Sequence, residues 1–537
     1  MLTKIYSASI QGIDAFPVTI ETFGDKGAIF SIVGMPDTAV KESQQRMVSA
    51  VNHSGVTFPH RRTIINLAPA DVKKEGASFD LPMALGVLTA HEVIKVPQKK
   101  LDEYMIMGEL SLDGSVLPVR GALPMAIKAR EMGFKRLIVP EGNVTEAAVI
   151  NKVEVFGVKN LAEAIALLAE ASDLQPTLIN TREIFANESA LFDIDFSEVK
   201  GQDSVKRAFE VACAGGHNLL MVGPPGAGKS MMAKRVPTIL PPLSLGEALE
   251  TTKIHSVAGK LSRGSMLMTR RPFRTPHHTV SPVAMVGGGT NPMPGEISLA
   301  HNGVLFLDEF PEFPRSVLEV LRQPIEDRTI TVARAKYTVS YPASFMLIAS
   351  MNPCPCGYYG HPKKKCTCMP GQVNKYMNKI SGPLMDRIDI QIEIQPVEFD
   401  DIANTIPAES SSVIRDRVVK ARVIQQERFK GDKGVYSNSQ MNTRLLRKYA
   451  WPDPSGLSKL KERMEKNNMS ARSFDRILRV ARTIADLESA QNLASPTSPE
   501  YSTSLSSVVN APVLSHHIAE AIGYRNLDRS DYGVSFS

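Results

Sequence analysis

The chain has 537 residues, 43% of them hydrophobic and 22% charged, with a formal net charge of +6. That length is more than one core organises and predicts about three domains of an ordinary soluble globular protein. No run approaches the ~20 apolar residues of a membrane span, and the N-terminal MLTKIYSASIQGIDAF lacks a signal peptide's apolar core, so a cytoplasmic protein without a membrane partner is expected.

In chain order, residues 1–170 alternate short β-branched runs (Thr63 to Ile65, Leu137 to Val139) with helix-like stretches such as Leu81 to His91, which predicts an α+β or α/β domain. Residues 171–195 lose periodicity and read as a linker. Residues 196–395 alternate apolar strands with amphipathic helices, the pattern of an α/β domain on a parallel sheet. Residues 396–537 predict a helical region, with a Ser/Thr/Pro-rich, flexible insertion at about 489–514.

The strand-like HNLLMV ending at Val222 runs into GPPGAGKS, namely Gly223, Pro224, Pro225, Gly226, Ala227, Gly228, Lys229 and Ser230, and then into a helix-compatible segment. This is the P-loop pattern. Its glycines turn backbone N–H groups onto phosphate oxygens, Lys229 reaches the β and γ phosphates, and Ser230 offers a hydroxyl to Mg²⁺. GVLFLDEF ends a second apolar strand in two carboxylates. Asp308 is expected in the Mg²⁺ shell and Glu309 as the group that polarises the attacking water. Together these predict ATP hydrolysis to ADP and phosphate.

FMLIASMNP ends a third apolar strand at Asn352, where an AAA+ sensor contacts the γ-phosphate or the water. Arg387, in SGPLMDRIDI, suits an arginine finger entering a neighbour's site, or else a local pair with Asp386 or Asp389. Arg472 near a helix start suits a second sensor, and Arg476, Arg479 and Arg482 read as that helix's solvated face.

Four of the five cysteines fall within CPCGYYGHPKKKCTC, residues 354–368. Cys354, Cys356, Cys366 and Cys368 suit a closed, structural tetrahedral Zn²⁺ site, the other readings being four free thiols or two disulfides. His361 is a substitute ligand. Lys363, Lys364 and Lys365 offset the negative charge of such a centre or face a phosphate backbone.

The run from DFSEVKGQ through GPPGAGKS, RPFRTPHHTVSPVAMVGGG, NPMPGEISLAHNGVLFLDEFPEF, NPCPCGYYG and SGPLMDRIDI resembles the YifB/ComM family of magnesium-chelatase-like AAA+ ATPases, over nearly the whole chain. The resemblance implies the roles given above for Lys229, Asp308, Glu309, Asn352, Arg387 and Arg472, and a homo-oligomeric ring, expected to be a hexamer. It also implies a hairpin inserted in helix 2 within 255–300, and a second hairpin at 328–343 whose tip carries Arg334 and Lys336. Basic residues of that hairpin face the pore in related DNA-translocating rings; the plainer reading is two exposed cations on a β-turn. Single-stranded or branched DNA is the implied partner, and a branch-migration helicase in the recombination of incoming DNA the implied function. A chelatase-type motor subunit and a protein-remodelling ATPase are the alternatives. His277 and His278 read as structural or interface residues.

MGELSLDGSVLPVRGALPMAIKAREMGFKRLIVP, with KKEGASFDLPMAL before it, is similar to the protease domain of Lon, and Ser78 matches the catalytic serine. A serine–lysine pair needs an amine to deprotonate that hydroxyl. The matching position is Leu123, and Lys128 lies five residues further on, so the resemblance implies the fold without the peptidase chemistry.

Overall fold

The computed structural model describes residues 1–181, 192–261, 266–289, 292–334, 337–396, 408–467, 469–494, 498 and 500–525. None of its helices is long and apolar enough to cross a membrane.

The N-terminal domain is built on a seven-stranded mixed sheet. Its strands are β1 (Leu2–Gln11), β2 (Asp14–Asp25), β3 (Phe30–Val33), β4 (Arg62–Ala68), β5 (Tyr104–Ile106), β8 (Arg136–Pro140) and β9 (Glu154–Val158), in the order β3-β4-β2-β1-β5-β8-β9. A short ribbon of β6 (Glu109–Leu110) and β7 (Val116–Leu117) stands apart from it. The helix Asp80–Ala90 packs on β1 and β2 and is buried along its whole length, as an all-round apolar sequence requires. Its one charge, Asp80, is met by Arg46 through two hydrogen bonds of 2.6 and 3.0 Å.

The second domain carries a five-stranded parallel sheet of β10 (Leu219–Val222), β11 (Phe273–Arg274), β14 (Val304–Leu307), β17 (Met346–Met351) and β18 (Ile390–Glu393), ordered β11-β14-β17-β10-β18. β10, β14 and β17 are buried throughout, because helices cover both faces of the sheet. Strand order reverses at β10, and ligands of open α/β sheets bind at the C-terminal ends of the strands at such a switch point. Two small hairpins flank the sheet: β12 (Gly287–Gly288) with β13 (Met293–Pro294), and β15 (Thr329–Arg334) with β16 (Tyr337–Pro342).

The first two domains share packing. Leu243, Ala248 and Leu267 join one hydrophobic cluster with Ala122, Leu123 and Met125 of the N-terminal domain. The β1–β2 turn reaches the hairpin, where a Cβ on Gly12 would stand 2.8 Å from Val339 Cγ1. Lys253 pairs with Asp14 across the same junction.

The C-terminal region is helical, and its helices Ser411–Arg428 and Ala471–Ser489 pack on the helix Asp203–Gly215. Two expectations fail here. The segment at 489–514, read as flexible, contains the helix Tyr501–Val508, whose Val508 is buried in the main core. Arg482, read as solvated, is fully buried and, with Arg428, holds Asp486. Arg428 Nε also donates to Val509 O (2.8 Å) and Arg482 to Ala511 O, so these arginines fasten the inserted segment to the helical core. Arg476 is likewise turned inward, onto Asp389.

Candidate nucleotide and metal sites

Gly223 leaves β10 so close to the neighbouring strand that a Cβ there would meet Ile394 O at 2.6 Å. Gly226 and Gly228 turn the loop through left-handed conformations (φ +80° and +83°) that L side chains disfavour. The chain then enters the helix Lys229–Ile239. Lys229 Nζ donates to Gly223 O (2.7 Å), Pro224 O (2.9 Å) and Asn352 Oδ1 (3.1 Å). Burial holds its pKa below the usual lysine value against the opposing pull of Asp308.

Ser230 Oγ donates to Asp308 Oδ2 at 2.6 Å. The other carboxylate oxygen accepts from the Glu309 N–H (3.1 Å) and from Ser350 Oγ. Ser350 was not singled out in the sequence, although it stands two residues before Asn352 and therefore on the same side of β17. Glu309 itself has φ +53°, an uncommon left-handed conformation for a residue with a side chain. Its Oε2 lies 3.4 Å from His278 Nδ1, so one of the paired histidines borders the nucleotide site.

Arg387 and Arg472 stand apart from this group. Arg387 is 8% exposed and donates to Glu326 Oε2 (2.8 Å) and Pro383 O (2.7 Å), not to Asp386 or Asp389. Arg472 is exposed, 4.0 Å from Asp386. Of the hairpin residues, Lys336 and the Arg334 side chain lie outside the described residues.

The four loop cysteines converge. Cys354, Cys356 and Cys366 sulfurs lie 3.3–3.6 Å apart, the Cys356 N–H reaches Cys368 Sγ at 3.4 Å, and all four sulfurs fall within 4.8 Å of one another. They form no disulfide. Tetrahedral Zn–S bonds of ~2.3 Å place sulfurs about 3.8 Å apart, so the donor set fits zinc. His361 does not compete through Nδ1, which accepts the Lys363 and Lys364 N–H groups (3.0 and 3.1 Å). Lys363, Lys364 and Lys365 are exposed. The loop leans on the P-loop: a Cβ on Gly357 would stand 2.6 Å from Pro225 Cδ. A second cluster, Glu488 with His516 and His517, is a hydrogen-bonded group. The Leu514 N–H donates to His517 Nδ1 (2.9 Å), which leaves Nε2–H to donate to Glu488 (2.6 Å).

Comparisons with known proteins place the chain in a family. Three family models match: Subunit ChlI of Mg-chelatase over residues 20–143, Magnesium chelatase subunit ChlI over 195–402, and its C-terminal model over 408–497. The uncharacterized protein YifB of Escherichia coli (strain K12) is 38% identical over 533 residues, covering 98% of each chain. The competence protein ComM of Haemophilus influenzae is 38% identical over 534 residues, again covering 98% of each. The chain belongs to the YifB/ComM family of magnesium-chelatase-like AAA+ proteins. In this family ATP and Mg²⁺ are the implied ligands, and the P-loop, Ser230 and Asp308 are the residues that fit them. Lon protease of Trichlorobacter lovleyi is 27% identical over 171 residues, 30% of this chain and 20% of its own.

In the Lon-like domain, Ser78 lines a cavity of about 590 Å³ at the junction with the AAA+ domain, together with Lys73, Glu75, Glu109 and Arg120. Leu123 is fully buried, and Lys128 pairs with Glu131 at 2.5 Å. Lys73, in the same cavity, holds Glu75 at 2.6 Å.

Proposed function

We propose that the protein is a cytoplasmic, ATP-hydrolysing ring motor acting on DNA, a branch-migration helicase in recombination. The observation that carries it is the joining of Lys229, Asn352, Ser230 and Asp308 by hydrogen bonds at the sheet's switch point. ATP with Mg²⁺ supplies the phosphoryl group and the cation that neutralises its charge. Lys229 exchanges its loop carbonyls for phosphate oxygens, while Ser350 and the Glu309 N–H keep Asp308 aimed at the Ser230 hydroxyl. Glu309 orients the water and takes up its proton, with His278 steadying the carboxylate. Asn352 ties the end of β17 to Lys229. Arg387 exchanges Glu326 for a neighbouring subunit's site when the ring, a hexamer, assembles, and Arg472 reports the state of the nucleotide to the lid.

DNA as substrate is supported by the name of the competence relative and by the presence of the β15–β16 hairpin. Steady-state ATPase rates with and without single-stranded and four-way-junction DNA test it. Stimulation is expected in the wild type and loss of that response in an Arg334→Ala/Lys336→Ala variant; vigorous hydrolysis indifferent to DNA would favour the chelatase or remodelling alternatives. The cysteine loop is proposed to bind one structural zinc, with Lys363, Lys364 and Lys365 turned towards DNA. Metal analysis of the purified protein is expected to give about one zinc per chain, absent in Cys354→Ala/Cys356→Ala.

A further inference from the structure

The N-terminal ends of the parallel strands, opposite the P-loop, carry a second cavity. A cavity of about 130 Å³ lies where Asn218, Gly303 and Asp389 lead into β10, β14 and β18, and the helical lid closes it from the other side. Four arginines line it: Arg271 and Arg328 from the core, Arg422 and Arg476 from the lid. The lining carboxylates are two, Glu247 and Asp389. Each is already engaged, Glu247 with Arg271 (3.2 Å) and Asp389 with Arg476 (2.8 Å).

That leaves two guanidinium groups without a carboxylate partner among the described residues. Arg422 donates to Ala214 O and Cys213 O (3.1 and 2.9 Å), the last carbonyls of the helix Asp203–Gly215. Capping a helix C-terminus accounts for Arg422 in part. It does not account for Arg328, whose described hydrogen bond is a long one to Gly434 O (3.5 Å). Burial, and after it a neighbouring arginine, pushes the guanidinium of Arg328, of Arg422 and of the adjacent Arg479 each down to about 10. Arg328 and Arg422 are half-buried, and like charges gathered in one cavity favour an anion among them.

We propose that this cavity binds a single phosphate-type oxyanion, bridging the AAA+ core and the lid through Arg328 and Arg422, with Arg271 and Arg476 adding positive charge to its wall. Guanidinium forks match tetrahedral oxyanions with paired, charge-assisted hydrogen bonds. The size selects the class. The cavity is well below the ~300 Å³ at which pockets begin to take drug-sized ligands, and it suits one phosphate group. Tyr436, 66% exposed, stands at the mouth with the Ser437 and Ser439 hydroxyls beside it. Two sources supply this chemistry: free inorganic phosphate, which ATP hydrolysis releases, and a backbone phosphate of nucleic acid.

The test uses the full chain carrying Lys229→Ala, which weakens phosphate binding at the P-loop. Inorganic phosphate is titrated calorimetrically at constant ionic strength, and thermal unfolding is followed in parallel. Saturable binding with a raised unfolding midpoint is expected, with Kd weakened about tenfold or more by Arg328→Gln, the loss of one charge-assisted contact. Arg422→Gln serves as the second variant, and circular dichroism checks that each is folded. Absence of saturable phosphate and oligonucleotide binding, or binding unchanged in both folded variants, overturns the proposal. A short DNA hairpin titrated into the same proteins separates the sources. Arg328-dependent competition with phosphate assigns the site to the nucleic-acid backbone, and phosphate binding without such competition assigns it to the free ion.

Discussion

The AAA+ core and the Lon-like domain each place a serine at or just before the start of a helix, after a glycine-containing turn, and the two sites have fared differently. Ser230 sits beside Lys229, and the strands bring Asp308 and Asn352 to the pair. Ser78 has a cavity in front of it, but the position that would carry its lysine holds Leu123, which packs in the core shared by the two domains. Burying a leucine stabilises by about 1.5–3 kcal/mol. At this position the chain has a seam residue between domains rather than an amine.

Three changes bear on that contrast. Glu309→Gln should lower the ATPase kcat by about 100-fold or more, the scale of losing one preorganised polar group, while nucleotide binding, read by a fluorescent analogue, persists; a near-normal rate would remove Glu309 from the site. Leu123→Lys, which restores the lysine in name, should destabilise by about 3 kcal/mol or more, because it puts an ammonium group into an apolar cluster. Denaturant unfolding measures the loss, and recovered peptide hydrolysis instead would overturn the reading of Leu123 as a seam residue. Ser78→Ala should leave stability within about 0.5 kcal/mol and ATP hydrolysis unchanged. A clear drop in either would show that the cavity has kept a task.

How much of this was legible in the sequence depended on how local each signal is. The P-loop, Asp308, Glu309 and Asn352 lie at the ends of buried strands, and the strand pattern alone puts those ends side by side. The cysteine loop was legible for the same reason, since its sulfurs fall within fifteen residues. Long-range partners were not legible. Nothing near Arg387 announces Glu326, which is 61 residues away, and nothing near Arg482 announces the inserted segment whose carbonyl it binds. Arginines at helical spacing look alike in sequence whether they face water or cap carbonyls inside the fold. The Ser/Thr/Pro-rich composition at 489–514 misled in the opposite direction: Tyr501, Leu505 and Val508 are enough to hold one helix face against the lid.

The contact between Gly12 and Val339 braces the hairpin from the N-terminal domain. Val339 pairs with Val332, two rungs from the last described pair, Arg334 with Tyr337. The Lon-like domain is thereby a brace for the hairpin, and a side chain added at Gly12 would be felt at Val339 across the domain junction.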